Sequence, residues 1–253
     1  MMKWIRSQSG VIVPQRLVPR SRQRGMFAMG PAFFNQNAAA STYQATVLAD
    51  NPILFYMLND TSGTTAANLG SLSGANATYY GGYTQNVSSG NVGIPTCVSL
   101  NGSTGYLLTG SINPYGSATG VSVEIWVNPS SIGSLSRITD IYNRLSLQLE
   151  TNGTVTGIFN GAAELNSGTA ISHGSKLLQL LYTAGPSGQI WYINGSQVAS
   201  NSTAYSNSAP SGGYYIGEYS SNGYFFSGDV AAHSVYQSVL SASRVLAHYN
   251  AGK

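Results

Sequence analysis

Few residues of this 253-residue chain could do chemistry, and Glu124 is the one whose setting calls for an explanation. It stands in Gly120-Val121-Ser122-Val123-Glu124-Ile125-Trp126-Val127-Asn128-Pro129, where Val121, Val123, Ile125 and Val127 alternate with Ser122, Glu124, Trp126 and Asn128. Strand side chains point to opposite faces in turn, so this period of two predicts a central strand. One face is an apolar row over a core; the other offers a carboxylate beside an indole. Pro129 closes the strand, because a residue without an N–H cannot extend a ladder. Glycoside hydrolysis uses two carboxyl groups flanking the scissile bond, and the positions two residues either side of Glu124 are Ser122 and Trp126. Glu124 is therefore expected to be a strand carboxylate held by tyrosine or backbone donors, since a buried acid persists by being hydrogen-bonded.

The other candidates are dispersed. His173 lies in a Ser-His-Gly turn, His233 near the last strand and His248 on a terminal helix, with no nucleophile-elbow context to join them to a serine. One cysteine and three scattered histidines do not make a zinc site. Calcium needs clustered oxygens; Asp50, Asp60 and Asp229 flank loops but share no dedicated stretch, so no cofactor is assigned and calcium stays an open alternative without named ligands. Sugar recognition has better material, because aromatic faces beside Asn, Ser and Gly recur. Tyr79-Tyr80-Gly81-Gly82-Tyr83, Tyr205 with its Ser and Asn neighbours, and Tyr219 to Phe226 are the loops concerned. Tyr79, Tyr80, Tyr83, Tyr205, Tyr219 and Tyr224 are the glycan-binding candidates. The same residue types also build ordinary turns and protein interfaces.

The elements that would position these residues read as all-β. Only 8% of residues are charged against 42% hydrophobic, and Gly, Ser, Asn, Thr and Tyr are prominent, a mixture that favours turns and strands over long helices. Ser41 can cap a short helix to about Ala49, with Tyr43, Val47 and Leu48 on one face and Pro52 preventing continuation. Ile53 to Leu58 reads as a strand buried on both faces. Short strands follow at Val98–Leu100, Tyr106–Leu108, Val121–Val127, Leu145–Leu149 and Val155–Phe159, spaced as in a sandwich. Asn152-Gly153 and Asn194-Gly195 suggest type I′ hairpins joining Leu145–Glu150 to Thr154–Phe159 and Ile190–Ile193 to Gln197–Ala199. Tyr214–Gly217 and Val230–Tyr236 are further strands. Ser241 then caps a closing helix that runs to Asn250 and stops at Gly252.

From Tyr43 to Gly252 the chain resembles a laminin-G-like jelly-roll domain of the concanavalin A-like superfamily, in the form common in bacteriophage virion proteins. The resemblance rests on Tyr43, Val47-Leu48-Ala49-Asp50, Pro52, Tyr56 with Leu58, and Ser62-Gly63-Thr64. It continues through Val123–Val127, Trp191–Gly195, Tyr215-Ile216-Gly217 and the ending Leu240-Ser241-Ala242 to His248-Tyr249, in order and spacing. It implies two antiparallel sheets packed face to face with the first and last strands side by side. Such domains often bind calcium at a sandwich rim. One departure is the acidic pair usual after the Phe226-Ser227-Gly228 position, where this chain has Ala231 and Ala232; a salt link or metal ligand from that pair is absent.

Residues 1–40 fall outside the resemblance and carry a charge asymmetry. Lys3, Arg6, Arg16, Arg20, Arg22 and Arg24 precede any acid, whereas residues 41–253 set five bases against eight acids, net −3. Pro14, Pro19, Gly25, Gly30 and Pro31 interrupt every apolar run, so this stretch is an extended arm attached to one sandwich domain of residues 41–253. Trp4, Arg6, Arg16, Arg20, Arg22, Arg24, Phe27, Phe33 and Phe34 intersperse basic and aromatic side chains, which suits a mixed protein surface better than a polyanion. The arm is read as an anchor onto other virion structural proteins, with nucleic acid disfavoured. No apolar run is long enough for a secretion signal or a membrane span, and the lone Cys97 forms no disulfide framework. The sequence thus points to a non-enzymatic virion component, assembled in the host cytoplasm, displaying a glycan-binding sandwich to the host surface. Self-association within the particle is compatible with this reading. The alternatives are a glycan-degrading enzyme of the same superfamily or a free lectin.

Overall fold

A computed structural model of the chain describes residues 4–6, 12–14, 42–141, 145–159, 163–205, 212–220 and 223–253. Two compact units emerge, Met1–Phe33 and Phe34–Lys253. In the first, β1 (Trp4–Arg6) pairs antiparallel with β2 (Ile12–Pro14), Trp4 opposite Pro14. The sequence reading has no regular structure there. Arg16, Arg20, Arg22, Arg24, Phe27, Phe33 and Phe34 of the arm lie outside the described residues, as does the helix-capping Ser41.

The second unit is a two-sheet sandwich. The first sheet runs, edge to edge, β13 (Ala163–Ala170), β12 (Thr154–Phe159), β11 (Leu145–Leu149), β10 (Ser136–Ile141), β17 (Gly212–Ile216), β8 (Tyr106–Ile112), β5 (Ala77–Tyr80) and β4 (Thr65–Ala66). The second runs β16 (Ser196–Asn201), β15 (Gly188–Ile193), β14 (Leu178–Gly185), β9 (Val121–Pro129), β18 (Ser227–Tyr236), β7 (Thr96–Asn101) and β6 (Tyr83–Ser88). Where β18 leaves β7, β3 (Leu54–Tyr56) takes over as its neighbour, with His233 opposite Tyr56 and Val235 opposite Leu54. The first and last strands of the sandwich are therefore adjacent.

The alternation in β9 builds two cores. Val121, Val123, Ile125 and Val127 face inward against Leu107, Leu145, Leu147, Tyr214 and Ile216 of the opposing sheet. The other face of β9 is also buried, contrary to its polar sequence, because a helix over residues 42–48 (α1) and the closing helix α2 (Ala242–Gly252) lie across it. Tyr43 and Val47 from α1 and Val245 from α2 join Trp126, Leu181 and Ala231 in this second, smaller core. Ser241 caps α2 by accepting from the Arg244 N–H. Cys97 is buried here too, and burial, then the Asp229 charge, pushes its thiol up to about 12; it stays protonated and inert.

Two local expectations change. Asn194 and Gly195 both have positive φ, 52° and 77°, as a type I′ turn requires. At Asn152-Gly153 only Gly153 does, at 86°, and Glu150 N donates to Thr154 O at 2.8 Å across a three-residue loop; this hairpin is not type I′. The strand expected over Ile53 to Leu58 is confined to Leu54–Tyr56, since Leu58 turns left-handed at φ 56°. Among the described residues no helix is long and apolar enough to cross a membrane.

Candidate functional site

Glu124 is fully buried and fully engaged. Its Oε1 accepts from Gln179 Nε2 at 2.8 Å, Trp126 Nε1 at 3.2 Å and the Tyr43 hydroxyl at 3.3 Å, and its Oε2 lies 2.7 Å from His248 Nδ1. The other His248 nitrogen, Nε2, is 2.8 Å from Asp50 Oδ2. Asp50 also takes Arg244 Nε on both oxygens at 2.9 Å. With a carboxylate at each ring nitrogen, both must carry a proton, so His248 is an imidazolium. Burial would push its pKa down; the charges of Glu124 and Asp50 and their hydrogen bonds outweigh that and hold it above the usual histidine range. The cluster ties α1's exit, β9 and α2 together. It has no opening for a substrate at Glu124, and the tyrosine and indole donors expected around this carboxylate are present.

His233 behaves in the opposite way. An irregularity between Ala231 and Ser234 in the pairing with β9, with Ala232 at φ 46°, keeps both alanines on the helix side and turns His233 into the sandwich core. Its ring stacks between Tyr214 at 5.2 Å and Tyr56 at 6.3 Å, and Nδ1 lies 2.9 Å from the Glu124 carbonyl. Burial lowers its pKa to about 4, against small upward contributions from Glu124, so it is neutral. His173, exposed, lies 3.1 Å from the Pro129 carbonyl through Nδ1.

The three aspartates weighed for calcium do not converge. Asp50 is committed to His248 and Arg244, Asp60 accepts from the Tyr79 hydroxyl at 2.7 Å, and Asp229 is 3.4 Å from Asn128 Nδ2. Among the described residues no group of three or more His, Cys, Asp or Glu could hold a metal ion. A calcium cage built on these aspartates does not fit.

The aromatic candidates separate by face. On β5, Tyr79 points inward and is buried, its hydroxyl on Asp60, so it is withdrawn from sugar stacking; Tyr83 packs on it at 4.9 Å. Tyr205, partly buried, lies 4.2 Å from Phe159 with its hydroxyl enclosed. These three are packing residues. Tyr80 points the other way and is 41% exposed on the outer face of the first sheet. There it stacks on its cross-strand partner Tyr106 at 5.1 Å, and Tyr106 in turn lies 6.2 Å from Tyr215 and 6.3 Å from Phe225.

The strip continues in the segment after β17, which folds back on itself. Phe226 N donates to Gly217 O at 2.9 Å, Tyr219 N to Gly223 O at 3.1 Å, and Arg137 N at the start of β10 to Tyr224 O at 2.7 Å. Tyr219 and Tyr224 meet edge to face at 5.9 Å, Tyr224 is 50% exposed, and the Arg137 guanidinium sits over the Tyr219 ring at 5.0 Å. Glu218, beneath this segment, is only 4% exposed, and burial raises its carboxyl pKa. Six aromatic rings and one guanidinium thus share one face, with the Glu218 carboxyl buried near them. Tyr219 and Tyr224 were identifiable from their loop; Tyr80 was singled out too, but the loop expected over Tyr79 to Tyr83 is a tight turn between β5 and β6, with Tyr79 and Tyr80 on the first strand and Tyr83 on the second. Tyr106, Tyr215, Phe225, Arg137 and Glu218 were not identified; the signal available was the strand alternation of Tyr106 and Tyr215, which puts them opposite the core-facing Leu107 and Tyr214.

Two antiparallel sheets packed face to face, with the first and last strands adjacent, define a jelly-roll sandwich. The chain belongs to the concanavalin A-like lectin/glucanases superfamily, whose laminin G family profile matches residues 101–246, more than half of its length. No curated protein matches the sequence. Among solved structures, a Trypanosoma rangeli sialidase in complex with 2,3-difluorosialic acid superposes with a TM-score of 0.60 at 14% identity, over 84% of this chain and 38% of the sialidase. The receptor-binding domain of botulinum neurotoxin C/D mosaic serotype gives 0.59 at 15% identity over 79% and 51%. Botulinum neurotoxin type C, whose cell entry depends on interaction with two ganglioside molecules, gives 0.60 at 14% over 81% and 52%. The chain spans about half or less of the length of these proteins, and the likeness is one of fold.

Proposed function

We infer that residues 41–253 form a non-enzymatic carbohydrate-binding module, and that residues 1–40 attach it to other structural proteins of a virion, where it meets glycans on the host surface. The observation that carries the binding reading is the strip from Tyr80 through Tyr106 to Tyr219 and Tyr224, two of whose rings are exposed. Sugar rings present C–H faces that stack on aromatic faces, and exposed tyrosines in a row offer several stacking positions to one chain. The superfamily and the ganglioside-dependent neighbour agree with a glycan ligand. Against hydrolysis stands the enclosure of Glu124 by four side-chain donors, which leaves that carboxylate nothing with which to protonate or attack a substrate. The virion attachment rests on the resemblance of Tyr43 to Gly252 and on the basic, aromatic arm. The test is a host-surface glycan array probed with the full chain, with and without calcium, followed by assay of each bound glycan for turnover. Binding without turnover supports the module; turnover makes it an enzyme.

A further inference from the structure

Arg137 differs from Arg244 and Lys253 in its surroundings. Arg244 has Asp50, and Lys253 is at the chain end over Tyr249 at 5.1 Å. Arg137 is partly buried, its Nε and Nη1 are enclosed without a hydrogen-bond acceptor, and among the described residues no carboxylate lies within 4.0 Å of it. A desolvated guanidinium without a counter-charge is unfavourable, and the Tyr219 ring face beneath it compensates only in part. The segment that encloses it holds two non-glycine residues in left-handed conformations, Ser220 at φ 38° and Tyr224 at φ 54°. Such strain is kept where the surroundings determine it, and it collects at binding sites. Glu218 nearby is more than nine-tenths buried and its Oε2 also has no partner.

We propose that the strip takes an acidic oligosaccharide, with the carboxylate or sulfate of one sugar at Arg137 and the neutral remainder lying along Tyr106 and Tyr80. The inference rests on the glycan-binding reading above and adds the ligand class to it. Residues 41–253 carry net charge −3, so a general attraction of anions does not account for such a preference; it depends on this one guanidinium. Its planar, always-charged donors match carboxylate and sulfate oxygens.

The experiment compares lactose, 3′-sialyllactose and 3′-sulfolactose against the full chain by titration, for the wild type and for Arg137→Gln and Tyr224→Ala. The wild type is expected to bind one or both acidic trisaccharide-like ligands about tenfold or more tightly than lactose, the scale of one charge-assisted contact. Arg137→Gln is expected to reduce that advantage to about twofold or less, whereas Tyr224→Ala weakens all three ligands alike. The sialyl and sulfo arms identify which acid is preferred. Equal wild-type affinity for lactose and its acidic forms, or an acid preference that survives Arg137→Gln, overturns the proposal and leaves the neutral-glycan reading standing. No binding to any glycan on the array removes that reading and the proposal with it. If Arg137→Gln does not fold, as read by melting temperature, the wild-type preference and its loss in about 0.5 M salt decide the matter alone.

Discussion

His248 Nδ1 lies 2.7 Å from Glu124 Oε2, joining the closing helix to the central strand through a contact that neither element could make without the other. The same ring reaches Asp50 at 2.8 Å, so one imidazolium holds three parts of the chain.

The two buried histidines predict a stability maximum near neutral pH. His248 has a raised folded pKa; its contribution is complete below the unfolded value of about 6.5 and is lost as pH rises through the folded value. His233, lowered to about 4, has the opposite sign: its stabilising influence is complete above about 6.5 and is lost as pH falls toward 4. Each limb has a limiting slope of about 1.4 kcal/mol per pH unit. Urea titrations from pH 4 to 9 on His248→Gln and His233→Phe check this: the first variant should flatten the alkaline limb and the second the acid limb.

Trp126 is fully buried, stacked on Tyr249 at 6.1 Å and donating to Tyr43 at 3.0 Å. Trp126→Ala should cost about 3–5 kcal/mol by chemical denaturation. Glu124→Gln removes one of the two charges on His248 and should cost about 3 kcal/mol or more, yet leave glycan binding at 25 °C unchanged. Loss of binding in a folded Glu124→Gln protein would contradict the separation of the two sites.

Tyr80→Ala and Tyr224→Ala remove the exposed rings at the two ends of the strip. Each should weaken an array-positive glycan by about tenfold with little change in melting temperature, because neither ring belongs to a core. Tyr79→Ala, one position away, should instead lower stability, and a thermal shift assay beside the binding titration separates the two effects.

Removing residues 1–40 should leave 41–253 folded, since the sandwich closes by its own β3–β18 pairing. On the proposed virion attachment, the truncated protein should fail to co-assemble with a particle that takes up the full chain. Docking of the intact chain should weaken only in part at high salt, because aromatic contacts are not screened, whereas phosphate binding would fall steeply. Normal incorporation without the arm would end the anchor reading.

Period-two strands, the Asn194-Gly195 hairpin and the Ser241-capped helix were readable because each depends on neighbours in sequence. The role of Glu124 was readable in kind but not in its partners. Tyr43 and His248 stand 81 and 124 residues away from it and meet it only when both terminal helices pack on the same strand face. Within the sandwich, Thr65–Ala66, Ala77–Tyr80, Tyr83–Ser88, Ser136–Ile141, Ala163–Ala170 and Leu178–Gly185 escaped as strands. Leu178–Gly185 is buried on both faces along most of its length, which erases the alternation by which a half-exposed strand is recognised. The Arg137–Tyr219 contact depends on the segment after β17 folding back beside β10, a geometry with no local sequence signature.

Because α1 and α2 share the outer face of the second sheet, the polypeptide enters and leaves the sandwich on one side, while Tyr80 and Tyr224 lie on the outer face of the first sheet, across the full thickness of both. The domain therefore has a front and a back. An engineered fusion placed after α2 leaves from the back, and the rings are turned away from it. A scaffold with that polarity can be grafted in dense arrays without its attachment points obstructing the surface it presents.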